Sequence, residues 1–400
     1  MINVAVFGYG TVGSGVVEVL AGNKEAIEKR ALEEIEVKYI LDLRTFPGDP
    51  YEDKIVHDVE LILNDPEVNI ICETMGGVEP AYTFSKRALS SGKSVCTSNK
   101  ELVANHGPEL IAIAKENNCN YLFEASVGGG IPIIRPINYA LTAEEILGIK
   151  GILNGTTNYI LSKMEKEGVD FAEVLKEAQD KGYAEKNPEA DVEGYDACRK
   201  IAILSSLMIG KTVCYEDIYT EGITKITASD FVYAKALGKS IKLLGSSKKT
   251  EAGYVAMVAP FMISNTHPLY SVNDVFNAVF VEGNMLGDSM YYGRGAGKLP
   301  TASAVVSDVV DCARHIGKTV TCIWESEKVE LASYKESKKK FFGRVEGDNQ
   351  VGVKEVFGDI EFVQAVDGEF GFVTEVMSEA DFEEKAAKLE GLITRIRIEE

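Results

Sequence analysis

The chain has 400 residues, more than one hydrophobic core usually serves, so two or three domains are expected. Its formal net charge of −20 argues against nucleic acid and anionic membrane surfaces as partners, because both call for a basic face. Seven scattered cysteines with no CxxC pair, four histidines outside any metal-ligand spacing and no apolar run of bilayer length argue against a disulfide framework, a zinc site or a membrane span. A cytoplasmic protein, opening on strand-like sequence instead of a signal peptide, is expected.

Ile2 to Phe7 is a short β-branched run that leads into Gly8-Tyr9-Gly10-Thr11-Val12-Gly13 and then a helical pattern through Leu20. In this setting of strand, glycine turn and helix, Gly8 allows the tight turn and Gly10 lets backbone approach a pyrophosphate. Gly13 lets the helix pack close on the strand, so the motif reads as a dinucleotide-binding turn. A second strand, Val37 to Leu43, puts Asp42 where an acid binds ribose hydroxyls, which favours NAD. Arg44, two residues on, suits a phosphate instead, so the choice between NAD and NADP stays open.

Val68 to Glu73 reads as a buried strand with Thr74, Met75, Gly76 and Gly77 at its carboxyl end, then a helix from Pro80 to Ser90. Lys93 to Thr97 repeats the theme with Ser98, Asn99 and Lys100, in the place where open parallel sheets bind ligands. A solvated lysine at a helix start is the bland alternative for Lys100. Asn120 to Ala125 supplies one more strand. The glycine-dense Glu124 to Pro132 reads as backbone facing a ligand or cation, or equally as a hinge.

From Leu147 the pattern changes, and Gly151 to Leu161 is a strand ending in a polar cluster that opens a helix. Asn154, Thr156 and Asn158 there suit a small polar substrate or helix capping. Between 182 and 200, Pro188 and Gly194 keep Glu185 and Asp191 on a loop, and a helix from Asp196 brings Asp196 and Lys200 onto one face. That placement suits proton transfer or polarisation of a carbonyl, although a surface ion pair is the usual fate of Asp and Lys four apart. Strand-like runs at Ala252 to Ile263 and Asn277 to Glu282 suggest an α+β second domain whose sheet can pair with another subunit. The glycine-dense Tyr291 to Thr301 precedes a helix from Ala302 to Ile316 that returns to the first domain. Beyond Tyr334, the run Lys338 to Lys340 reads as a linker to a small β-rich appendage with strands at 341–346, 360–364, 370–376 and 393–398 and a helix over 379–389.

Together, Gly8 to Gly13, Ser98-Asn99-Lys100, Glu124 to Pro132, Gly151 to Asn158, Gly182 to Lys200 and Gly293 to Ser303 resemble homoserine dehydrogenase, in order over roughly residues 1 to 320. The resemblance implies an α/β fold class of three parts. A Rossmann doubly wound parallel sheet takes 1–135 and is completed by a helix at about 302–317; an α+β catalytic and dimerisation domain takes 136–301; a reduced ACT-like α+β domain takes 335–400. The implied reaction is the NAD(P)-dependent interconversion of L-homoserine and L-aspartate 4-semialdehyde, on the route to threonine and methionine, by a homodimer or homotetramer.

Residue by residue, the resemblance implies that Lys200 and Lys100 are the active-site lysines and that Asp196 orients Lys200. Glu185 and Asp191 hold the substrate ammonium, with Asn154, Gly155, Thr156 and Tyr183 completing the substrate site. Gly8, Tyr9, Gly10, Thr11, Val12, Gly13, Asp42, Arg44, Thr74, Met75, Gly76, Ser98, Asn99, Lys100, Gly295 and Thr301 are the cofactor-binding candidates. The backbone carbonyls of Glu124, Val127, Gly129 and Ile131 are candidates for a monovalent cation, Na⁺ or K⁺. The sequence departs from the family at Asn187, where an aspartate is usual, and at Leu41, where many NADP-preferring relatives carry arginine, which tilts the reading toward NAD. It departs again in the tail, where the first helix of the βαββαβ order is expected to be nearly absent between Glu346 and Ile360, leaving a module for assembly. The competing readings are a two-domain reductase of another aldehyde and a catalytically silent NAD(H)-binding regulator.

Overall fold

The computed structural model describes residues 1–400 and divides them into two compact units. The first comprises residues 1–144, 202–214 and 293–329, the second 145–201, 215–292 and 330–400.

In the first unit, β1 (Ile2–Phe7), β2 (Ile35–Leu41), β3 (Ile55–Val56), β4 (Val68–Glu73), β5 (Ser94–Thr97) and β6 (Tyr121–Leu122) form a parallel sheet in the order β3-β2-β1-β4-β5-β6. The central strands are short apolar runs buried on both faces, as expected for a sheet covered by helices on either side. The strand order reverses at β1, whose neighbours β2 and β4 lie on opposite sides. The loops leaving the carboxyl ends of β1 and β4 therefore part and open a crevice for a ligand.

Helix Lys298–Arg314 packs on helix Thr11–Gly22 through Gly15, where an added Cβ would stand 2.9 Å from the Lys298 carbonyl oxygen. It starts at Lys298, before the expected Ala302, because the glycine run ends at Gly297 with φ +125. The strand expected over 120–125 is only β6, since at Glu124 the chain enters a 3-10 turn, Glu124–Ser126.

The second unit holds β7 (Ile146–Ile152), β8 (Lys239–Thr250), β9 (Gly253–Ser264), β10 (Phe276–Gly283), β11 (Gly287–Arg294), β12 (Lys338–Glu346), β13 (Glu361–Val363), β14 (Glu369–Val373) and β15 (Leu392–Glu399). With two short strands at the side they form an 11-stranded sheet in the order β11-β10-β7-β8-β9-β15-β12-β14-β13. The sequence reading passes over β8, which pairs with β9 antiparallel from Lys239↔Ser264 to Thr250↔Gly253. Its alternation is broken by Lys242, which is fully buried and reaches Asn273 Oδ1 at 2.7 Å.

Three further expectations are corrected in this unit. Helix Gln350–Phe357 is present, so the tail has the whole βαββαβ order. Val351, Val353, Val356 and Gly352 lower its helix propensity, but Asn349 caps it and Val353 and Phe357 are buried beneath it. Lys338 to Lys340 open β12 and are no linker; Lys339 and Lys340 pair with Glu399 and Glu400 at the end of β15. The tail joins the second unit instead of standing as a third body because β15 runs parallel to β9 in the same sheet, from Phe261↔Arg397 to Ile263↔Glu399.

Candidate active site

The glycine turn after β1 is built as a cradle. Gly8 has φ +88, a backbone region that costs side-chain-bearing residues strain. A Cβ on Gly13 would stand 1.8 Å from the Gly8 carbonyl oxygen and 2.8 Å from Thr74 Oγ1. One on Gly10 would meet nothing within 4 Å, so the space above it is open. Helix Thr11–Gly22 begins with no side-chain cap, leaving its first N–H groups to Thr11, Val12 and Gly13 for an anion. The Thr74 hydroxyl braces the turn from below, donating to the Phe7 and Gly8 carbonyls at 2.9 Å.

Asp42 follows directly on β2. One oxygen accepts the Tyr9 N–H at 2.8 Å, and the Arg44 guanidinium forks onto both oxygens at 2.9 Å. The Arg44 guanidinium, aided by the backbone N–H donors, holds the Asp42 carboxyl well below the usual carboxylate range against the opposing pull of burial. Asp42 and Arg44, alternative cofactor determinants in the sequence reading, are thus one ion pair. They sit at the mouth of a cleft of about 600 Å³ whose apolar wall includes Leu41, Leu43, Val59, Met75, Pro80 and Phe84. An apolar slot with an acid at its mouth and an anion cradle beside it fits a dinucleotide, adenine in the slot and pyrophosphate on the turn.

Beyond β4 and β5 the sequence reading misses Glu73. It is fully buried, accepts the Met75 N–H at 2.7 Å and the Thr97 hydroxyl at 2.5 Å, and so ties the 74–77 loop to the 97–100 loop. Burial pushes its carboxyl up to about 7, opposed by those hydrogen bonds. An acid ending a mostly apolar, buried parallel strand was the available signal. Asn99 caps helix Lys100–Glu116 by accepting the Leu102 N–H and donates to the Gly77 carbonyl at 2.6 Å, and it stands between the half-buried Ser98 and Lys100. Gly76 lies open, with nothing within 4 Å of an added Cβ.

The loop after β6 is organised by side chains that the sequence reading does not single out. The Glu124 carboxylate accepts the N–H groups of Ile133, Ile134 and Arg135 at 2.6, 2.9 and 2.7 Å. Asp308, also buried, accepts the Glu124 N–H at 2.9 Å and pairs with Arg135. Gly129, with φ +56, lies so close to Gly295 that a Cβ would stand 2.2 Å from the Gly295 carbonyl oxygen. Nearby Thr301 is buried in the first turn of helix Lys298–Arg314. No backbone hydrogen bond ends on the carbonyls of Val127, Gly129 or Ile131, which leaves them available to a hard cation.

In the second unit the structure brings four of the predicted residues together. Asn154 caps helix Gly155–Glu167 by accepting the Thr157 N–H, and its amide donates to Asp191 at 2.7 Å and Asp196 at 2.9 Å. The Lys200 ammonium lies 2.8 Å from Asp196 Oδ2 and 2.8 Å from the Leu153 carbonyl oxygen. Burial, followed by the nearby Asp196 charge, raises the Asp191 carboxyl above the ordinary aspartate value, opposed by the Asn154 hydrogen bond.

Asp191 sits on a short helix, Glu189–Val192, and not on the expected open loop, because Pro188 starts that turn and Gly194 ends it with φ +84. Glu185 is not part of this cluster; its side chain is exposed and makes no hydrogen bond. Thr156 donates to the Tyr183 carbonyl at 2.7 Å, fastening that loop while Tyr183 leaves its ring half exposed against Tyr159. Gly155 packs where a Cβ would come within 3.0 Å of the Val275 carbonyl oxygen. No helix is long and apolar enough to cross a membrane.

The family model for the NAD-binding domain of homoserine dehydrogenase matches residues 8–124, and that for homoserine dehydrogenase matches residues 132–310. The homoserine dehydrogenase of Bacillus subtilis (strain 168) is 42% identical over 330 residues, covering 80% of this chain and 75% of its own. The crystal structure of a homoserine dehydrogenase from Thiobacillus denitrificans superposes with a TM-score of 0.90 at 35% identity, over 100% of this chain and 98% of that one. A hyperthermophilic archaeal homoserine dehydrogenase in complex with NADPH is 29% identical with a TM-score of 0.66, over 78% of this chain and 97% of that one. With the parallel sheet, the dinucleotide cradle and matches over most of its length, the chain belongs to the homoserine dehydrogenase family, NAD(P)-dependent oxidoreductases acting on a CH–OH group.

Proposed function

We propose the following division of labour for the interconversion of L-homoserine and L-aspartate 4-semialdehyde. Lys200, whose ammonium is held by Asp196 and the Leu153 carbonyl, donates a hydrogen bond to the reacting oxygen and stabilises the negative charge that develops there. Asp196 orients that ammonium, and Asn154 holds Asp196 and Asp191 at a fixed separation. Asp191 receives the substrate ammonium, because a cation taken out of water needs a carboxylate partner. Lys100 exchanges the hydroxyl proton with solvent. The nicotinamide, when bound, accepts or returns the hydride.

The observation that carries this reading is the buried Lys200–Asp196–Asn154–Asp191 cluster at the end of β7. Glycines 8, 10 and 13 with Asp42 support binding of NAD, and the NADPH held by the archaeal relative keeps NADP as the second cofactor to assay. The unclaimed carbonyls of the 127–131 loop support Na⁺ or K⁺ there. The edge strand β11, with Met285, Leu286, Met290 and Tyr292 exposed on or beside it, supports pairing with a second copy as a dimer or tetramer. Seven free cysteines support a reducing, cytoplasmic setting.

The test is the rate of cofactor reduction with L-homoserine, run in parallel with NAD⁺ and NADP⁺ and with Na⁺ or K⁺ present. Turnover with either cofactor is expected. Cofactor binding without turnover would overturn the assignment.

A further inference from the structure

Arg397, on β15, has a fully buried side chain. Its guanidinium forks onto the equally buried Glu379 and reaches Glu221 at 2.8 Å. Glu221 also accepts the Tyr219 hydroxyl at 3.0 Å, and the Tyr219 ring is stacked on Tyr334 with centroids 4.0 Å apart. The end of the chain thus grips the segment that runs through Glu221.

That segment is pressed against the acidic part of the site. A Cβ on Gly222 would stand 2.3 Å from the Val192 carbonyl oxygen, 2.5 Å from Glu193 Cα and 2.9 Å from Glu193 Oε2, so the two backbones meet in close contact. The Ile223 N–H donates to the same Val192 carbonyl at 2.9 Å. Val192 is the last residue of the four-residue helix that carries Asp191. A helix of one turn has no stability of its own, so its position is set by what it docks on.

We propose that Arg397 and Glu221 are positioning residues for the substrate site: the ion pair between the buried Arg397 of the C-terminal strand and the partly buried Glu221 fixes residues 220–223, which fix the short helix and with it Asp191. This rests on the assignment of Asp191 to the substrate ammonium. Buried ion pairs contribute little net stability for the desolvation they cost, and holding a geometry is a use that survives that balance. A group that binds substrate also needs support behind it, because a small displacement is felt directly in binding.

The test compares Glu221→Gln, Tyr219→Phe and Asp191→Asn in the full-length enzyme. Glu221→Gln is expected to raise the KM for homoserine roughly three- to ten-fold, with kcat and the cofactor KM unchanged. Tyr219→Phe, which removes one hydrogen bond to Glu221 and keeps the stacked ring, moves KM the same way by less, and it decides the matter if the glutamine variant does not fold. The double variant Glu221→Gln with Asp191→Asn adds little to Asp191→Asn alone, because both act on one contact. A fall in kcat with unchanged KM is what a merely structural role predicts and would overturn the proposal. An elevated KM in Asp191→Asn with normal values in Glu221→Gln and Tyr219→Phe would overturn the positioning role and leave the ammonium assignment standing. A normal KM in Asp191→Asn would remove the ammonium assignment and the proposal with it.

Discussion

The Lys200 ammonium and the Asp196 carboxylate, one turn apart on helix Tyr195–Ile209, stand 2.8 Å from each other with their side chains only 11% and 8% exposed. A surface pair at this spacing contributes almost nothing. A buried one with the Leu153 carbonyl and the Asn154 amide as further partners is a positioned charge. Replacing Lys200 with alanine is therefore expected to lower kcat by ~10²–10⁴-fold, the usual contribution of such groups. Cofactor titration of the variant should give wild-type affinity, since no cofactor-binding candidate lies in that helix. Near-normal turnover would take the role from Lys200.

The two inner glycines of the turn separate cofactor binding from folding. Gly13→Ala forces a Cβ to within 1.8 Å of the Gly8 carbonyl oxygen, a backbone clash that no rotamer relieves, so its Tm falls. Gly10→Ala meets nothing within 4 Å and leaves Tm unchanged, but fills the space a pyrophosphate needs. Thermal unfolding with and without NADH checks both. The Gly10 variant should unfold normally alone and lose the stabilisation that the ligand confers.

Asp42 and Arg44 should pull cofactor preference in opposite directions. Arg44→Ala frees the carboxylate and removes the only guanidinium beside it, so the ratio of kcat/KM for NAD⁺ over NADP⁺ rises. Asp42→Ala lowers that ratio by taking away the ribose acceptor and the partner of the Tyr9 N–H. Each change is about ten-fold, the size of one hydrogen bond to a charged group. The Arg44 side chain is 62% exposed, so its loss leaves Tm unmoved. A ratio moving the other way in either variant would reverse the assignment.

Glu73 predicts a pH dependence of stability. Its folded-state carboxyl is raised by burial to about 7, above its value in the unfolded chain, so the native state binds the extra proton. The stabilisation is full at acid pH and lost as pH rises through about 7, on the order of 3 kcal/mol across the interval. Wild-type Tm should fall from about pH 5 to pH 8 more steeply than that of Glu73→Gln, which keeps a neutral group there at every pH. Parallel slopes for the two proteins would show that Glu73 does not carry the proton.

Elements with a strong local signal were legible in the sequence. The glycine turn after β1, the acid at Asp42, the polar cap at Asn154 and the i,i+4 pair of Asp196 and Lys200 all follow from backbone sterics or helix periodicity over a few residues. Helix Gln350–Phe357 and strand β8 were not legible, because propensity and alternation there run against the outcome. Burial of Val353 and Phe357 in one, and a buried lysine bonded to Asn273 in the other, override them.

Turn geometry, capping and charge spacing are local properties of the chain, so the residue types available at each strand end can be read along it. Which of them meet depends on how the chain folds. Asn154 touches Asp191 and Asp196 across 37 and 42 residues, Asp308 reaches Glu124 across 184, and Arg397 grips Glu221 across 176. Contacts of that separation come from the burial of whole sheets and helices against one another, and no window of sequence contains both partners.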